Sequence, residues 1–218
     1  MANLPALSLL ETRVIGVLLE KQHTVPDTYP LTLNALTAGC NQKTSREPVM
    51  EAAETEVQAA IDHLKSLSVV MESSGGRVMR YAQNLGKVLG LPPQSCALLA
   101  ALFLRGPQTA GELRINSERL HKFGDILSVE AFLNELAERK DGALVVELAK
   151  APGARETRWA HLLSGDVIPT EVVTPAKAGV QSTELEDLRA RIDRLESEVA
   201  SLRLSVGHLT RGEAANDN

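Results

Sequence analysis

The sequence predicts an α+β protein, mostly α-helical, with tandem winged-helix domains followed by a C-terminal coiled-coil helix. Amphipathic helical periods are followed by short hairpin patterns, this order occurs twice, and a heptad repeat comes last. The predicted divisions are 1–86 for the first winged-helix domain, 87–165 for the second, 166–183 for a linker, 184–210 for the coiled-coil helix and 211–218 for a disordered tail.

The first domain begins with a helical pattern and a clear start signal. Apolar residues recur at three- and four-residue steps, namely Leu7, Leu10, Val14, Val17 and Leu18. Ser8 followed by Glu11 forms the sequence signature of a capping box. A loop over 23–30 follows, and Pro30 suits the first turn of a second helix over 31–40 because proline is well tolerated there.

A third helix and a β-hairpin complete the first domain. The third helix carries an apolar face made of Val57, Ile61, Leu64 and Leu67. Residues 69–72 read as a strand, Ser73 to Gly76 as the turn, and 77–82 as the returning strand.

The second domain repeats this order at a spacing in the seventies. A strongly apolar helix over 96–104 ends at Gly106, and a short helix over 109–115 has Thr109 as its N-cap. A third helix, which Ser128 caps, carries Val129, Phe132, Leu133 and Leu136. Strands are predicted over 143–148 and 156–162. Two helices plus a third helix and a hairpin form the winged-helix pattern; the alternative is a generic three-helix α+β domain.

The C-terminal segment predicts a parallel homodimer. Two apolar positions recur in each heptad, the a positions being Leu185, Ile192, Val199 and Val206 and the d positions Leu188, Leu195, Leu202 and Leu209. β-Branched residues at a with leucine at d favour two parallel strands. The flanking charges pair with opposite signs in that orientation, as Glu184 with Arg189 does. The alternative is a lone amphipathic helix.

Two basic, polar stretches are candidate nucleic-acid contacts. The first lies between the second and third helices and comprises Asn41, Gln42, Lys43, Ser45 and Arg46, with Arg77 and Arg80 on the following hairpin. The second comprises Arg114, Arg119 and Lys122. These residue types suit phosphate and base-edge contacts. The alternatives are a capped, solvated turn for the first stretch and an ordinary solvated face for the second.

The third helix of each domain argues against groove insertion. The first of these helices carries one basic residue, Lys65, against four acidic ones, Glu51, Glu54, Glu56 and Asp62. The second carries Arg139 and Lys140 against Glu130, Glu135 and Glu138. Such carboxylates would be repelled by phosphates. We therefore hold two hypotheses open, a non-catalytic protein that binds double-stranded DNA or acts in transcription, and an adaptor whose domains dock a protein partner.

Composition and the absence of known motifs exclude several classes of protein function. The net charge of −5 excludes a uniformly basic coat, and 3% aromatic residues disfavour base-stacking platforms. Cys40 and Cys96 are far apart and the five histidines lack metal-ligand spacing, so we expect buried thiols, no metal and no cofactor. No nucleophile or phosphate-loop motif is present, so we expect no enzyme. No apolar run reaches the length of a membrane span and no signal peptide is seen, which predicts a cytoplasmic protein without a membrane partner.

Several stretches resemble one bacterial family. They are Glu20-Lys21-Gln22, Thr-Val-Pro-Asp-Thr-Tyr-Pro-Leu over 24–31, Asn-Gln-Lys-Thr-Ser-Arg-Glu-Pro-Val-Met over 41–50, Leu-Arg-Gly over 104–106, Gly-Glu-Leu-Arg over 111–114, and Pro-Gly-Ala-Arg-Glu-Thr-Arg over 152–158 with His161-Leu162. Over residues 7–165 the chain resembles the YceH family of bacterial proteins. The resemblance implies tandem winged-helix domains and carries over no catalytic or ligand residues.

Overall fold

The structure is a computed structural model that describes residues 4–73, 78–150 and 152–165. These residues belong to one compact unit, Met1–Pro169. The helices in these ranges are α1 (Leu9–Thr24), α2 (Leu33–Cys40), α3 (Glu54–Ser66), α4 (Leu85–Leu89), α5 (Pro93–Arg105), α6 (Ala110–Asn116) and α7 (Ile126–Ala137), with a 3₁₀ helix at Pro26–Thr28. The strands are β1 (Leu31–Thr32), β2 (Val70–Ser73), β3 (Arg80–Gln83), β4 (Val145–Leu148) and β5 (Arg158–His161).

The predicted start of α1 is confirmed. The Ser8 hydroxyl accepts a hydrogen bond from the Glu11 backbone N–H at 3.2 Å, and the Glu11 carboxylate accepts one from the Ser8 N–H at 2.6 Å. This capping box satisfies two backbone donors that the first helical turn leaves unpaired.

The predicted start of the second helix is wrong by two residues. Leu31 and Thr32 form the edge strand β1, in which Leu31 pairs with Tyr81 and Thr32 with Arg80. Thr32 is the N-cap of α2, because its hydroxyl accepts a hydrogen bond from the Ala35 N–H at 3.3 Å. Buried Leu31 is therefore held by sheet pairing, a long-range interaction that the local proline signal does not show.

Each half ends in an antiparallel hairpin, as the sequence predicts. β2 pairs with β3, and together with β1 they form a sheet of order β1-β3-β2. β4 pairs with β5, and a bridge between Gln108 and Trp159 lies beside them. Gln108 thus pairs with the last strand of the second hairpin in the same way that β1 pairs with the last strand of the first.

Two features differ from the sequence prediction: the helix α4 is additional, and the N-cap of α7 is a different residue. The short helix α4 was not predicted, and it ends at Gly90, whose φ of 63° suits glycine. Asp125, rather than Ser128, caps α7, because its carboxylate accepts the Ser128 backbone N–H at 2.7 Å. Ser128 lies within the first turn and donates its hydroxyl to the Asp125 carbonyl oxygen at 2.7 Å.

The two halves share one apolar core, which is centred on α1 and α5. Residues 11–19 of α1 and 95–104 of α5 are buried without interruption, which explains why both helices lack a clear polar face. The helices approach closely at Gly16, where an added Cβ would lie 3.0 Å from the Leu104 side chain. The Leu7 N–H also donates to the Leu163 carbonyl oxygen at 2.7 Å, which ties the start of the chain to the second hairpin.

Several predictions fall beyond these ranges. The linker, the coiled-coil helix with its eight seam residues and the C-terminal tail lie outside the described residues, as does Arg77. The division into domains at residue 86 stays a prediction. Among the helices that the structure describes, none is long and apolar enough to cross a membrane.

Candidate binding surfaces

Arg46 is the most deeply buried of the predicted nucleic-acid contacts. Its side chain is 0% exposed, and its guanidinium donates to both carboxylate oxygens of Glu20, at 3.1 and 2.6 Å. It also donates to the backbone carbonyls of Gly39 at 3.1 Å and Ser45 at 2.8 Å. Every nitrogen of this guanidinium is therefore engaged inside the protein.

The Arg46 ion pair controls the charge of its partner. Burial opposes ionisation of Glu20, but the hydrogen bonds and positive charge of Arg46 outweigh burial and hold the pKa of Glu20 below its usual range. The carboxylate is thus charged at neutral pH, as a bidentate arginine pair requires.

A second buried arginine fastens the same loop. Arg13 of α1 is 0% exposed and donates to the carbonyls of Cys40 at 3.2 Å and Pro48 at 2.8 Å. Burial, together with the nearby Arg46 charge, lowers the pKa of Arg13. The Glu47 N–H donates to the Leu104 carbonyl at 2.7 Å, so the loop over 41–48 is held from α1 and from α5.

The side chains of Asn41 and Gln42 also form hydrogen bonds that hold this loop in place. The Asn41 side chain exchanges two hydrogen bonds with the Ala52 backbone, both at 2.8 Å. Gln42 donates to the Thr44 carbonyl at 3.0 Å and accepts from Lys21 at 3.4 Å. The alternative of a capped turn therefore accounts for these two side chains.

The remaining first-half candidates are more accessible. Lys43 is exposed, while Ser45 is half-buried at a φ of 59°. Arg80 is exposed on β3, but its guanidinium donates to the Thr28 and Pro30 carbonyls at 3.0 and 2.7 Å. Arg80 thus anchors the loop before β1, whereas the side chains of Lys43 and Ser45 form no hydrogen bond with any residue that the structure describes.

The second-half candidates are all exposed and lie around the turn between α6 and α7. Arg114 donates to the Gly124 carbonyl at 3.4 Å, and Arg119 and Lys122 form no ion pair with any residue that the structure describes. Arg114, Lys122 and buried Phe123 line a shallow notch of about 90 Å³. The structure brings Arg114 and Lys122 together at this notch and keeps them apart from the first-half stretch.

The third helices present acidic surfaces. On α3, Glu54, Glu56 and Asp62 are exposed, and Lys65 forms ion pairs with Glu72 and Asp62. On and just after α7, Glu135 and Glu138 are exposed. The expected repulsion from a phosphate backbone therefore applies to the solvent faces of both helices.

The sequence reasoning missed an apolar surface at the start of α7. Leu127 is 74% exposed, Ile115 71% and Ile126 45%. The Ile126 Cδ1 lies 4.0 Å from where a Cβ on Gly111 would be, and Ile115 is one turn further along the same face of α6. We call Ile115, Ile126 and Leu127 the α6–α7 apolar surface. The sequence does carry a sign of this surface, because Ile126 and Leu127 lie before the regularly spaced apolar residues, Val129, Leu133 and Leu136, that form the buried face of α7.

The described residues contain no reactive constellation. Burial raises the pKa of Cys40 to about 12 and that of Cys96 to about 11, so both thiols are protonated and inert. Burial lowers the pKa of His161 to about 4, which keeps this ring neutral beside Phe103. No group of three metal-binding side chains occurs in the ranges the structure covers.

Taken together, these elements define an α+β protein with two helix-and-hairpin halves. A family described as "Protein of unknown function, DUF480" matches residues 7–154. A UPF0502 protein of Dechloromonas aromatica is 59% identical over 199 residues, which is 91% of this chain and 93% of the relative. The chain belongs to this DUF480/UPF0502 family of uncharacterised bacterial proteins.

Further relatives are similar over most of their length. A UPF0502 protein of Burkholderia pseudomallei (strain 668) is 57% identical over 221 residues, covering 94% of this chain and 93% of the relative. Another, of Cupriavidus metallidurans, is 60% identical over 206 residues, covering 93% and 84%.

Proposed function

We propose that this protein is a non-catalytic docking protein that binds a protein partner through winged-helix units. The observation that carries the proposal is the α6–α7 apolar surface, where two large aliphatic side chains are more than 70% exposed on adjoining helices. Apolar side chains grouped on a surface and rimmed by polar residues are typical of protein interaction sites.

The winged-helix assignment is part of the proposal and is supported by topology. Each half has the order helix, extended segment, helix, helix and hairpin, with β1 in the first half and Gln108 in the second adding to the hairpin. We also propose that the family is the one resembled in sequence, YceH, that the protein is cytoplasmic, and that residues 184–210 form a parallel coiled coil between two copies.

Binding to double-stranded DNA is the second candidate function. Exposed Lys43, Arg114, Arg119 and Lys122 favour it, since each can reach a phosphate. It is the weaker candidate because Arg46 is enclosed by Glu20, and because the solvent faces of α3 and α7 are acidic.

The experiment is affinity capture from extract with the full chain, with and without nuclease. We expect a partner that resists nuclease and is lost with Leu127→Asp, while Val49→Asp retains it. Val49 is a matched control because it is 53% exposed but lies in the loop before α3. A partner captured equally by both variants would remove the α6–α7 apolar surface from the interface.

Duplex binding across a salt series tests the second candidate. Each phosphate contact contributes a slope of about −0.9 in the logarithmic salt plot. Docking alone predicts no salt-dependent binding of random or genomic fragments. Binding whose slope falls by about one in Arg119→Ala would instead establish the DNA function.

A further inference from the structure

A pocket of about 180 Å³ lies where the start of the chain meets the second hairpin. Its apolar lining comes mainly from five leucines, which are Leu4, Leu89, Leu144, Leu162 and Leu163. The backbone fixes these walls, because the Leu162 N–H donates to the Leu144 carbonyl oxygen at 2.9 Å and the Leu7 N–H donates to that of Leu163 at 2.7 Å. Exposed Pro5 and Ala143 also line the pocket, so it opens to solvent.

The size of the pocket limits its ligand to a small molecule. Sites for drug-sized ligands need roughly 300–1,000 Å³, which is more than this pocket offers. An apolar cavity of about 150 Å³ holds one molecule of benzene. By this comparison the pocket suits a ligand somewhat larger than benzene, with roughly seven to nine non-hydrogen atoms.

Arg139, which follows α7, brings an incompletely paired cation to this pocket. Its side chain is only 19% exposed, and its Nη2 donates to the Leu89 carbonyl oxygen at 2.7 Å. Its Nε, which is buried, and its Nη1 donate to no residue that the structure describes. Because arginine carries five N–H donors, this guanidinium keeps hydrogen-bonding capacity for a ligand.

Asp141 places a negative charge beside Arg139 in the same lining. Its Oδ2 lies 4.0 Å from the Arg139 Nη2, beyond the range of about 2.7–3.2 Å for an N–H···O hydrogen bond. The carboxylate is 49% exposed and accepts no hydrogen bond from the residues that the structure describes. The Gly142 N–H donates to the Arg139 carbonyl oxygen at 3.2 Å, so a backbone turn keeps the two side chains close. The pocket thus presents a cation and an anion side by side next to an apolar wall.

We propose that this pocket binds a free aliphatic amino acid of about the size of leucine. The ligand carboxylate accepts hydrogen bonds from Arg139, its ammonium donates to Asp141, and its side chain packs among the leucines. A ligand with a carboxylate alone would be repelled by Asp141, whereas a zwitterion compensates both charges. This inference goes beyond the proposed docking function and does not depend on it, because Ile115, Ile126 and Leu127 are not in the lining of the pocket.

The test is isothermal titration calorimetry of the full chain with L-leucine and three analogues, each lacking one part of it. The analogue 4-methylpentanoate lacks the ammonium, 3-methylbutylamine lacks the carboxylate, and glycine lacks the aliphatic side chain. We expect L-leucine to bind at least about tenfold more tightly than each analogue, because each loses a charged hydrogen bond or buried apolar area.

Two variants assign the contacts to residues. Asp141→Asn should weaken L-leucine by about tenfold or more without weakening 4-methylpentanoate, which has no ammonium to lose a partner. Arg139→Gln should weaken both ligands, because both carry the carboxylate. Lys140→Gln is the matched control, since Lys140 is exposed between these two residues but does not line the pocket, and it should leave both affinities unchanged.

Circular dichroism and thermal melting check that the variants fold. Arg139→Gln also loses the hydrogen bond to Leu89, so if it does not fold, Asp141→Asn decides the matter. Equal affinities for L-leucine and 4-methylpentanoate, or no binding of L-leucine, overturn the inference. A loss in Lys140→Gln that matches the loss in Asp141→Asn also overturns it. None of these outcomes bears on docking, which the capture experiment with Leu127→Asp tests separately.

Discussion

Replacing Arg46 by alanine should destabilise the protein rather than weaken binding to a ligand. The guanidinium is 0% exposed and makes four hydrogen bonds, two of them to Glu20, which is 17% exposed. Removing one member of a buried ion pair costs about 3–5 kcal/mol, because the other charge is left uncompensated. Glu20 retains some contact with water and a lysine at 3.4 Å, so we place the loss near the lower end, at about 3 kcal/mol.

Urea denaturation and thermal melting measure this loss. A decrease of about 3 kcal/mol corresponds to a Tm lower by roughly 6–12 °C for a chain of this size. Arg46→Lys should also be destabilised, because a lysine cannot donate to both carboxylate oxygens and to the Gly39 carbonyl in one geometry. Exposed Lys43→Ala is the control and should change stability by less than about 0.5 kcal/mol. If Arg46→Ala is no less stable than this control, the buried ion pair does not support the loop and our reasoning fails.

Two further predictions concern pH and packing. The ionised Glu20 carboxylate contributes fully to folding stability above its pKa in the unfolded chain, about 4.3, and this contribution is lost as the pH falls through its lower pKa in the folded protein. Denaturation at successive pH values should therefore show that the difference in stability between the wild type and Glu20→Gln shrinks below about pH 5. A difference that stays constant with pH would contradict this. Gly39→Ala should cost about 1–3 kcal/mol, because its Cβ would lie 2.6 Å from Val17 Cγ1. Gly111→Ala, whose Cβ would meet nothing closer than 3.8 Å, should instead be neutral or stabilising by up to about 1 kcal/mol in the same melting experiment; equal losses at both glycines would refute the packing argument.

Local signals predicted most helices and both hairpins. The Ser8 and Thr109 capping boxes are visible in sequence because their partners lie three residues away. β1 and the Asp125 cap were missed for different reasons. Strand β1 is only two residues long and is defined by pairing with a strand some fifty residues later, whereas Asp125 and Ser128 are both good caps and only the backbone conformation selects between them.

The candidate site was predicted less well, again for a physical reason. Arg46 lies in a polar stretch that looks solvated, and its partner Glu20 is 26 positions away. Ionisable side chains are rarely fully buried, so the sequence favours the surface for such a residue. The α6–α7 apolar surface was missed for the opposite reason, because aliphatic residues at the start of a helix are assigned to the core by default.

The close contact between α1 and α5 at Gly16 has a consequence for recognition. Since these two central helices share one close-packed core, we expect the first and second halves to keep a constant separation when a ligand binds. A partner that contacts both halves must then carry two binding segments whose separation equals the distance between the two halves. The selectivity of binding then depends on the length of the partner's chain between these two segments as well as on the chemistry of each segment.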